Sequence, residues 1–160
     1  MQIISSSAQD TLKIGGAIAR HLKPGDILCL YGDLGSGKTV LVKGIAQGLG
    51  IKKEKVISPT FVLIRQYQKS RIPLYHFDLY RLENEGEIIN LGYEEYFYDQ
   101  AVAVIEWADR LKSLKPAQSL SIRLDFKDKC RRRIKFSACG LRYKELKERI
   151  SEDLKLRYQH

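Results

Sequence analysis

The sequence predicts a three-layer α/β fold whose sheet is mixed, parallel in the middle and antiparallel elsewhere. The first observation is Ile27–Tyr31, a short and wholly apolar run that is typical of a buried parallel strand. A glycine-rich loop over residues 32–37 and a helical pattern over residues 38–49 follow it directly. The second observation is the alternation of apolar and polar residues in Ser119–Phe126 and in residues 132–138. This alternation predicts an antiparallel pair.

The remaining elements are separated by proline, glycine and polar clusters. We expect helices over residues 8–22 (capped by Ser7), 83–91, 93–98 and 140–157, a hairpin of strands 61–67 and 73–79, and a buried strand over residues 101–105. No repeat or linker divides the chain, so we predict one domain over residues 1–160, with a basic helix from about residue 140.

Composition excludes several classes of protein. Hydrophobic residues make up 44% and charged residues 29%, as in ordinary globular proteins. No apolar run approaches the roughly 20 residues of a membrane helix, and no signal peptide is visible. The three cysteines are far apart, which argues against a disulfide framework and a zinc site. We therefore expect a cytoplasmic protein without a membrane partner.

The net charge of +9 is unevenly distributed. Residues 1–109 contain 12 basic and 13 acidic residues, a net of −1, whereas residues 110–160 contain 16 and 6, a net of +10. The acidic side chains concentrate between Asp78 and Asp109. The acidic segment suits a basic partner and the basic segment an acidic one such as RNA, although both also suit a solvated surface.

The loop matches the pattern G-x-x-x-x-G-K-[ST], which makes this a P-loop NTPase-type fold. Glycines let the backbone approach phosphates closely, and successive N–H groups surround them at the positive end of the following helix. Lysine supplies charge to the β- and γ-phosphates, and the next hydroxyl can bind Mg²⁺. The predicted nucleotide-binding residues of this loop are Asp33, Leu34, Gly35, Ser36, Gly37, Lys38, Thr39 and Val40.

A P-loop enzyme needs a carboxylate near Mg²⁺, usually at the end of a neighbouring strand. Glu106 ends an apolar strand and is the predicted metal ligand together with Thr39. Asp78 ends a strand in which polar and apolar residues alternate, as in a more exposed strand. We assign it a supporting role, the orientation of a free or metal-bound water molecule. With Lys38, these two acids are the candidate catalytic residues. His76 shares the face of Asp78, and a packing or hydrogen-bonding role is favoured for it.

Two further positions flank the predicted site. Thr60 lies in a loop between the P-loop helix and the next strand, where switch segments of P-loop proteins sit. Trp107, the only tryptophan, adjoins Glu106; core packing is the default interpretation, and contact with the nucleotide or a partner is the alternative. No guanine-reading N-K-x-D motif occurs, because Asn84 and Asn90 precede Glu85 and Leu91, so ATP is favoured over GTP.

Several segments together resemble one family, the TsaE (YjeE) ATPases. They are residues 31–39 (YGDLGSGKT), 58–61 (SPTF), 76–82 (HFDLYRL) and 105–107 (IEW), in the order and approximate spacing of that family. The third segment is more discriminating than the P-loop, since few other P-loop proteins carry it. The resemblance extends from about residue 8 to residue 140.

The resemblance implies a bacterial, Mg²⁺-dependent ATPase that is slow without partners and is needed to make threonylcarbamoyladenosine beside the anticodon of tRNA. Such a protein is not the transferase. It binds the proteins TsaD and TsaB and supports repeated turnover of their complex by hydrolysing ATP. We expect this chain to meet tRNA indirectly or through its basic C-terminal region, a long tail beyond residue 140 that departs from the family and also suits a solvated helix.

The resemblance also implies roles for individual residues. Thr60 becomes the switch residue. Asp78 and Trp107 lie around the active site, and Thr11 is a candidate contact of the adenine. Two positions depart from the family. Val40 stands where a second threonine is common, and Cys130 with residues 131–133 replaces a Gly-Arg pair. Which arginine of 131–133 lies nearest the nucleotide therefore stays open, and Arg131 is carried as a candidate contact.

Two other functions stay open from the sequence. One is a binding module in which ATP holds a conformation and hydrolysis is incidental. The other is a small-molecule kinase, which usually carries an arginine-rich lid, imitated here only by residues 131–133.

Overall fold

The structure is a computed structural model that describes residues 1–57 and 61–158, apart from the side chains of residues 53 and 156–158. Its strands are β1 Gln2–Ser5, β2 Ile27–Tyr31, β3 Ile64–Tyr67, β4 Leu74–Asp78, β5 Val102–Glu106, β6 Ser119–Phe126 and β7 Arg132–Cys139. Its helices are α1 Ala8–Ala19, α2 Lys38–Gly48, α3 Glu85–Asn90, α4 Tyr93–Phe97 and α5 Leu141–Tyr158. Short 3₁₀ segments cover Lys53–Lys55 and Ala108–Leu114.

All strands form one mixed sheet in the order β1-β7-β6-β2-β5-β4-β3. β2 pairs in parallel with β5 and β6, and β4 pairs in parallel with β5. The β6–β7, β1–β7 and β3–β4 pairs are antiparallel. The predicted combination of a parallel centre and antiparallel margins is therefore confirmed. The apolar β2 and β5 are central because strands covered on both faces need no polar side.

Two separate cores lie on opposite faces of the sheet. On one face α1, α2 and α5 cover strands from β4 to β7 and form the larger core. On the other face α3, α4 and the segment Ala108–Leu114 cover β2, β5 and β4. This second layer does not extend over the outer strands of the sheet, so the three layers are complete only around the parallel strands.

Three features differ from the sequence-based prediction. β1 was not predicted, because four residues show too little alternation to indicate a strand. The strand predicted to start at residue 61 starts at Ile64, since Leu63 has φ +67° and interrupts the extended backbone. The expectation that residues 73–79 form a more exposed strand was wrong. β4 is buried along its whole length between β3 and β5.

Helix α5 is joined to the sheet by polar contacts as well as by its apolar face. The Arg142 guanidinium binds the buried carboxylate of Asp26 at 2.6 and 3.0 Å. The Ile27 N–H donates to the hydroxyl of Tyr143 at 2.9 Å, and burial raises the pKa of Tyr143 to about 12. These bonds hold α5 at the start of β2. Within the described residues, no helix is long and apolar enough to cross a membrane.

Helices α1 and α2 approach each other closely through glycines. A Cβ added at Gly15 would lie 2.5 Å from the Leu41 carbonyl oxygen and 2.8 Å from the Cα of Gly44. A Cβ at Gly44 would overlap the carbonyl oxygen of Leu12. Both neighbours are backbone atoms and cannot rotate away, so the two helices can keep this spacing only without side chains there.

Gly15→Ala should therefore lower the free energy of unfolding by about 1–3 kcal/mol, because the helices must separate to admit a methyl group. Gly16→Ala is the matched control, since its Cβ would meet nothing nearer than 3.9 Å. The control should be neutral or more stable by up to about 1 kcal/mol, because alanine favours helix. Urea unfolding measures both variants. Equal stability of the two would contradict the proposed packing.

Candidate functional site

The glycine-rich loop lies at the carboxyl end of β2 and leads directly into α2. Gly32 has φ +142°, and a Cβ there would overlap the carbonyl oxygen of Leu124. Gly37, at φ +103°, occupies the capping position of α2. Since glycine has no capping side chain, the first N–H groups of α2 stay available to an external acceptor. This helix start is therefore suited to bind an anion such as phosphate.

The Lys38 side chain folds back over the loop. Its ammonium donates to the carbonyl oxygens of Gly32 at 2.6 Å and Asp33 at 2.9 Å. It also lies 4.1 Å from the centre of the Trp107 ring. Burial lowers the pKa of Lys38, and the nearby carboxylates of Glu106 and Asp78 act in the opposite direction. The residue thus holds a mobile positive charge above the loop.

A chain of hydrogen bonds connects three elements beneath Lys38. The Thr39 hydroxyl, at the start of α2, donates to the Glu106 carboxylate oxygens at 3.0 and 3.1 Å. His76 on β4 places Nε2 2.7 Å from Oε1 of the same carboxylate. A carboxylate only accepts hydrogen bonds, so Nε2 is the donor. His76 and Glu106 are both buried. The hydrogen-bonding role predicted for His76 is thereby confirmed, and its bond fixes the orientation of Glu106.

The donor set fits a magnesium ion better than a softer metal. Thr39 and Glu106 offer hydroxyl and carboxylate oxygens, which Mg²⁺ prefers. Among residues 1–57 and 61–158, no three His, Cys, Asp or Glu side chains group into a metal cluster. A site with a single carboxylate suits Mg²⁺ that also binds water and substrate phosphates. Thr39 and Glu106 would hold the ion.

Asp78 and Trp107 form the wall opposite the loop. Asp78 is the register partner of Glu106 on the adjacent strand, and its carboxylate accepts from the Tyr80 N–H at 3.0 Å. The Tyr80 ring lies 4.9 Å from that of Trp107. Trp107 has φ +58°, an uncommon conformation for a large side chain. This turn directs the indole towards Lys38 immediately after the buried Glu106.

A cleft of about 310 Å³ separates the loop from this wall. Most of the predicted site residues line it, namely Leu34, Gly35, Gly37, Lys38, Thr39, Val40, Asp78, Glu106 and Trp107. Their side chains or backbones thus meet in one place, although they come from three separate parts of the chain. The cleft is open to solvent at Leu34, whose side chain is exposed.

The other predicted residues occupy different positions. Asp33 contributes its carbonyl oxygen to Lys38, and Ser36 is buried within the loop. Thr11 is buried too, and its hydroxyl bonds the Ser5 hydroxyl at 2.7 Å. The side chain of Arg131 pairs with Asp128 within the β6–β7 turn. These residues do not line the cleft. Thr60 lies outside the described residues, so its predicted role stays a prediction.

Two residues near the loop were missed from the sequence. Tyr80 lines the cleft, and its place in the HFDLYRL segment was the available signal. Arg132, rather than Arg131, reaches the P-loop, and its Nε donates to the Ser36 carbonyl oxygen at 3.2 Å. The Arg132 guanidinium also stacks 4.4 Å from the centre of the Phe126 ring. The register of β6 against β7, which pairs Phe126 with Arg132, determines which of the neighbouring arginines reaches the P-loop.

A buried parallel strand, a loop of this pattern and a helix beginning at lysine define a protein of the P-loop class. The family described as threonylcarbamoyl adenosine biosynthesis protein TsaE matches residues 5–134. The chain therefore belongs to the TsaE family, as its resemblance predicted.

Individual relatives agree with this assignment. The TsaE protein of Bacillus subtilis is 44% identical over 143 residues, which cover 89% of each chain. That of Treponema pallidum is 43% identical over 78% of this chain and 90% of its own. The crystal structure of YdiB from Bacillus subtilis superimposes with a TM-score of 0.83 at 37% identity, over 95% of this chain and 94% of that one. The structural neighbour and the sequence relatives thus agree on the fold and the family.

The bond between His76 and Glu106 generates a stability prediction. In a double-mutant cycle of His76→Phe and Glu106→Gln, we expect a coupling energy of about 1.5–3 kcal/mol, the usual range for a hydrogen bond to a charged group. His76→Phe alone should be the more destabilising change, because it leaves a buried carboxylate short of a donor. Urea unfolding of the four proteins measures the cycle. Additive effects would show that the two side chains do not interact.

Proposed function

We propose that this chain is an Mg²⁺-dependent ATPase that supports tRNA threonylcarbamoyladenosine biosynthesis, acting on the complex of TsaB and TsaD in the cytoplasm without being the transferase. Membership of the TsaE family supports the pathway. The observation that carries the enzymatic part is the pairing of Thr39 with Glu106 directly beneath the P-loop lysine. A loop that only bound phosphate would not require a buried carboxylate at that position.

Binding follows from the geometry of the loop. The N–H groups of residues 33–39 surround the phosphates at the positive end of α2. The ammonium of Lys38 exchanges its bonds to the Gly32 and Asp33 carbonyl oxygens for phosphate oxygens. This exchange costs little, because the ammonium is already desolvated and already held above the loop. Mg²⁺, when bound by Thr39 and Glu106, supplies charge neutralisation at the β- and γ-phosphates.

Hydrolysis needs an oriented water molecule in line with the γ-phosphate. The oxygen of this water forms the new bond to phosphorus, the bond to the β–γ bridging oxygen breaks, and the proton of the water leaves with inorganic phosphate. Asp78 lies beside Glu106 at the end of the adjacent strand and faces the same cleft. Its carboxylate would orient the water, while His76 keeps Glu106 in place.

A slow basal rate is expected from what lines the cleft. Among the described residues that line it, none is an arginine, and arginines supply much of the transition-state charge in fast P-loop enzymes. The run 131–133 does not act as a lid, because Arg131 binds Asp128 and Arg132 binds the loop backbone. This arrangement disfavours the kinase alternative. A partner protein could complete the site.

The mouth of the cleft offers a surface for such a partner. Leu34, in the lining of the cleft, exposes 70% of its surface, and Phe61 and Val62 expose 82% and 55% of theirs. Phe61 stacks under the guanidinium of Arg81, which follows Tyr80 in the cleft wall. Exposed apolar side chains near a binding cleft suit the surface of a partner protein. Docking of TsaB and TsaD at this edge would place them beside the phosphates.

Nucleotide binding can be followed through Trp107, the only tryptophan. We expect Mg²⁺–ATP to change its fluorescence, because the phosphates draw away the ammonium that lies over the indole. Lys38→Met should weaken ATP binding at least about a hundredfold, since the pocket loses its principal positive charge. Lys43→Met, a lysine on the same helix outside the cleft, is the matched control and should bind ATP normally. Equal binding by both variants would exclude this loop as the ATP site.

Glu106→Gln should bind ATP yet hydrolyse it at least about a hundredfold more slowly, because the amide is similar in shape but carries no charge for Mg²⁺. In a reconstituted reaction with TsaB, TsaD and tRNA, we expect modification to stop near one round per complex. The measurements are phosphate release and modified tRNA. Repeated rounds of modification without hydrolysis would refute the turnover role and favour a binding module in which ATP only holds a conformation.

A further inference from the structure

One half of a sheet face is uncovered. The layer formed by α3, α4 and Ala108–Leu114 covers β2, β5 and β4, and it ends before β6, β7 and β1. On β6 and β7 most residues that point away from the larger core are polar, unlike their buried neighbours Ile122, Leu124 and Ile134, whereas β1 contributes the partly buried Ile4 beside Arg133. We call this surface the open face. It consists of the outward residues of β1, β6 and β7 together with Tyr31 at the end of β2.

The open face is positively charged. Arg123 and Lys135 are exposed register partners on β6 and β7, and Arg133 lies one step along the same face. Lys115 borders it from the end of the 3₁₀ segment. None of these four cations forms an ion pair within residues 1–57 and 61–158. Asp125, opposite Arg133, is the one acidic side chain among the outward residues of these strands.

An aromatic ring lies at the inner border of the charged group. Tyr31 on β2 is the register partner of Arg123 on β6, which in turn is the register partner of Lys135 on β7. Lys135 is paired with Gln2 on β1. The guanidinium of Arg123 and the ammonium of Lys115 each lie 5.4 Å from the centre of the Tyr31 ring. The tyrosine is only half-buried. A row of Tyr, Arg and Lys thus crosses three adjacent strands of an open sheet.

We propose that the open face binds a single-stranded segment of RNA, with a base on Tyr31 and phosphates on Arg123, Lys135 and Arg133. Proteins that read unpaired RNA on a sheet combine a stacking aromatic ring with neighbouring cations. Strands lie about 4.8 Å apart, so the three-strand row spans roughly 10 Å between Tyr31 and Lys135. This span accommodates a base and its flanking phosphates but is too short for a duplex footprint.

Charge distribution favours this face over the C-terminal helix. On α5 six cations, Arg142, Lys144, Lys147, Arg149, Lys155 and Arg157, alternate with four acidic residues, Glu145, Glu148, Glu152 and Asp153. Arg142 is already bound to Asp26, and Asp153 binds Arg20. Helix α5 thus presents a mixed surface, whereas the open face presents cations that outnumber its single carboxylate. An acidic protein would satisfy the cations too, but it would make no use of the half-exposed Tyr31 ring, on which a base can stack beside the Arg123 guanidinium.

The test is binding of a fluorescein-labelled, unmodified tRNA transcript to the full chain, followed by anisotropy at several salt concentrations. We expect Arg123→Gln with Lys135→Gln to weaken binding at least about tenfold and to flatten the slope of log K against log salt by about 1.4, the value for two single-strand phosphate contacts. Lys144→Gln with Arg149→Gln removes the same charges from exposed positions on α5 and should stay within about twofold of the parent.

Tyr31 and the ligand class are tested in the same assay. Tyr31→Leu should weaken binding about tenfold, whereas Tyr31→Phe, which keeps the ring, should bind as the parent does. Oligouridylate should compete with the tRNA far better than polyglutamate of equal charge. Equal loss in the open-face and α5 variants would show a dependence on net charge alone and overturn the proposal. Equal competition by polyglutamate would assign the face to an acidic protein, and no binding at low salt would also overturn it.

The choice of tRNA as the probe rests on the proposed function, whereas affinity of the open face for RNA does not. Each variant is also checked for ATP binding through Trp107 and for phosphate release. A failure of RNA binding with both of these intact would overturn the RNA proposal and leave the ATPase proposal standing.

Discussion

The hydrogen bonds from the Thr39 hydroxyl to the Glu106 carboxylate are the contact on which the site depends. They join the first turn of α2 to the end of β5, and three conditions must hold for them to form. β2 and β5 must pair in parallel so that their carboxyl ends coincide, as the register of Leu30 with Glu106 shows. The loop must return the chain over the sheet edge within six residues, which its glycines allow. Helix α2 must also lie close to the sheet, beside α1.

This arrangement is costly because it buries two carboxylates on adjacent strands. Asp78 and Glu106 are register partners that expose only 3% and 2% of their surfaces, and removing two carboxylates from water side by side costs free energy. Thr39, His76 and the Tyr80 N–H offset part of the cost by donating hydrogen bonds, and the ammonium of Lys38 offsets part by its charge. A domain optimised for stability alone would have apolar residues there. The cluster indicates a binding function that requires concentrated charge.

Local patterns were enough to predict the parallel centre, the P-loop, the Ser7 cap and the ends of most helices, since propensity and periodicity act over a few residues. They did not reveal what depends on tertiary neighbours. The burial of β4 follows from its position between two strands, and the choice of Arg132 over Arg131 follows from the β6–β7 register. Likewise, the family resemblance implied that Thr11 contacts the adenine, but packing against β1 directs its hydroxyl to Ser5.

The cleft and the open face share the carboxyl end of β2. Tyr31 ends the strand on the open face, and Gly32 begins the phosphate loop at the next residue. Arg132, at the start of β7, bonds the Ser36 carbonyl, and the Leu124 carbonyl packs against Gly32, so the β6–β7 hairpin is fixed to the loop at two points. Closely packed interiors transmit displacement rather than absorb it. If the loop shifts when a γ-phosphate is lost, as the proposed ATPase activity implies, these two contacts connect it directly to the strands that bear Arg123 and Lys135.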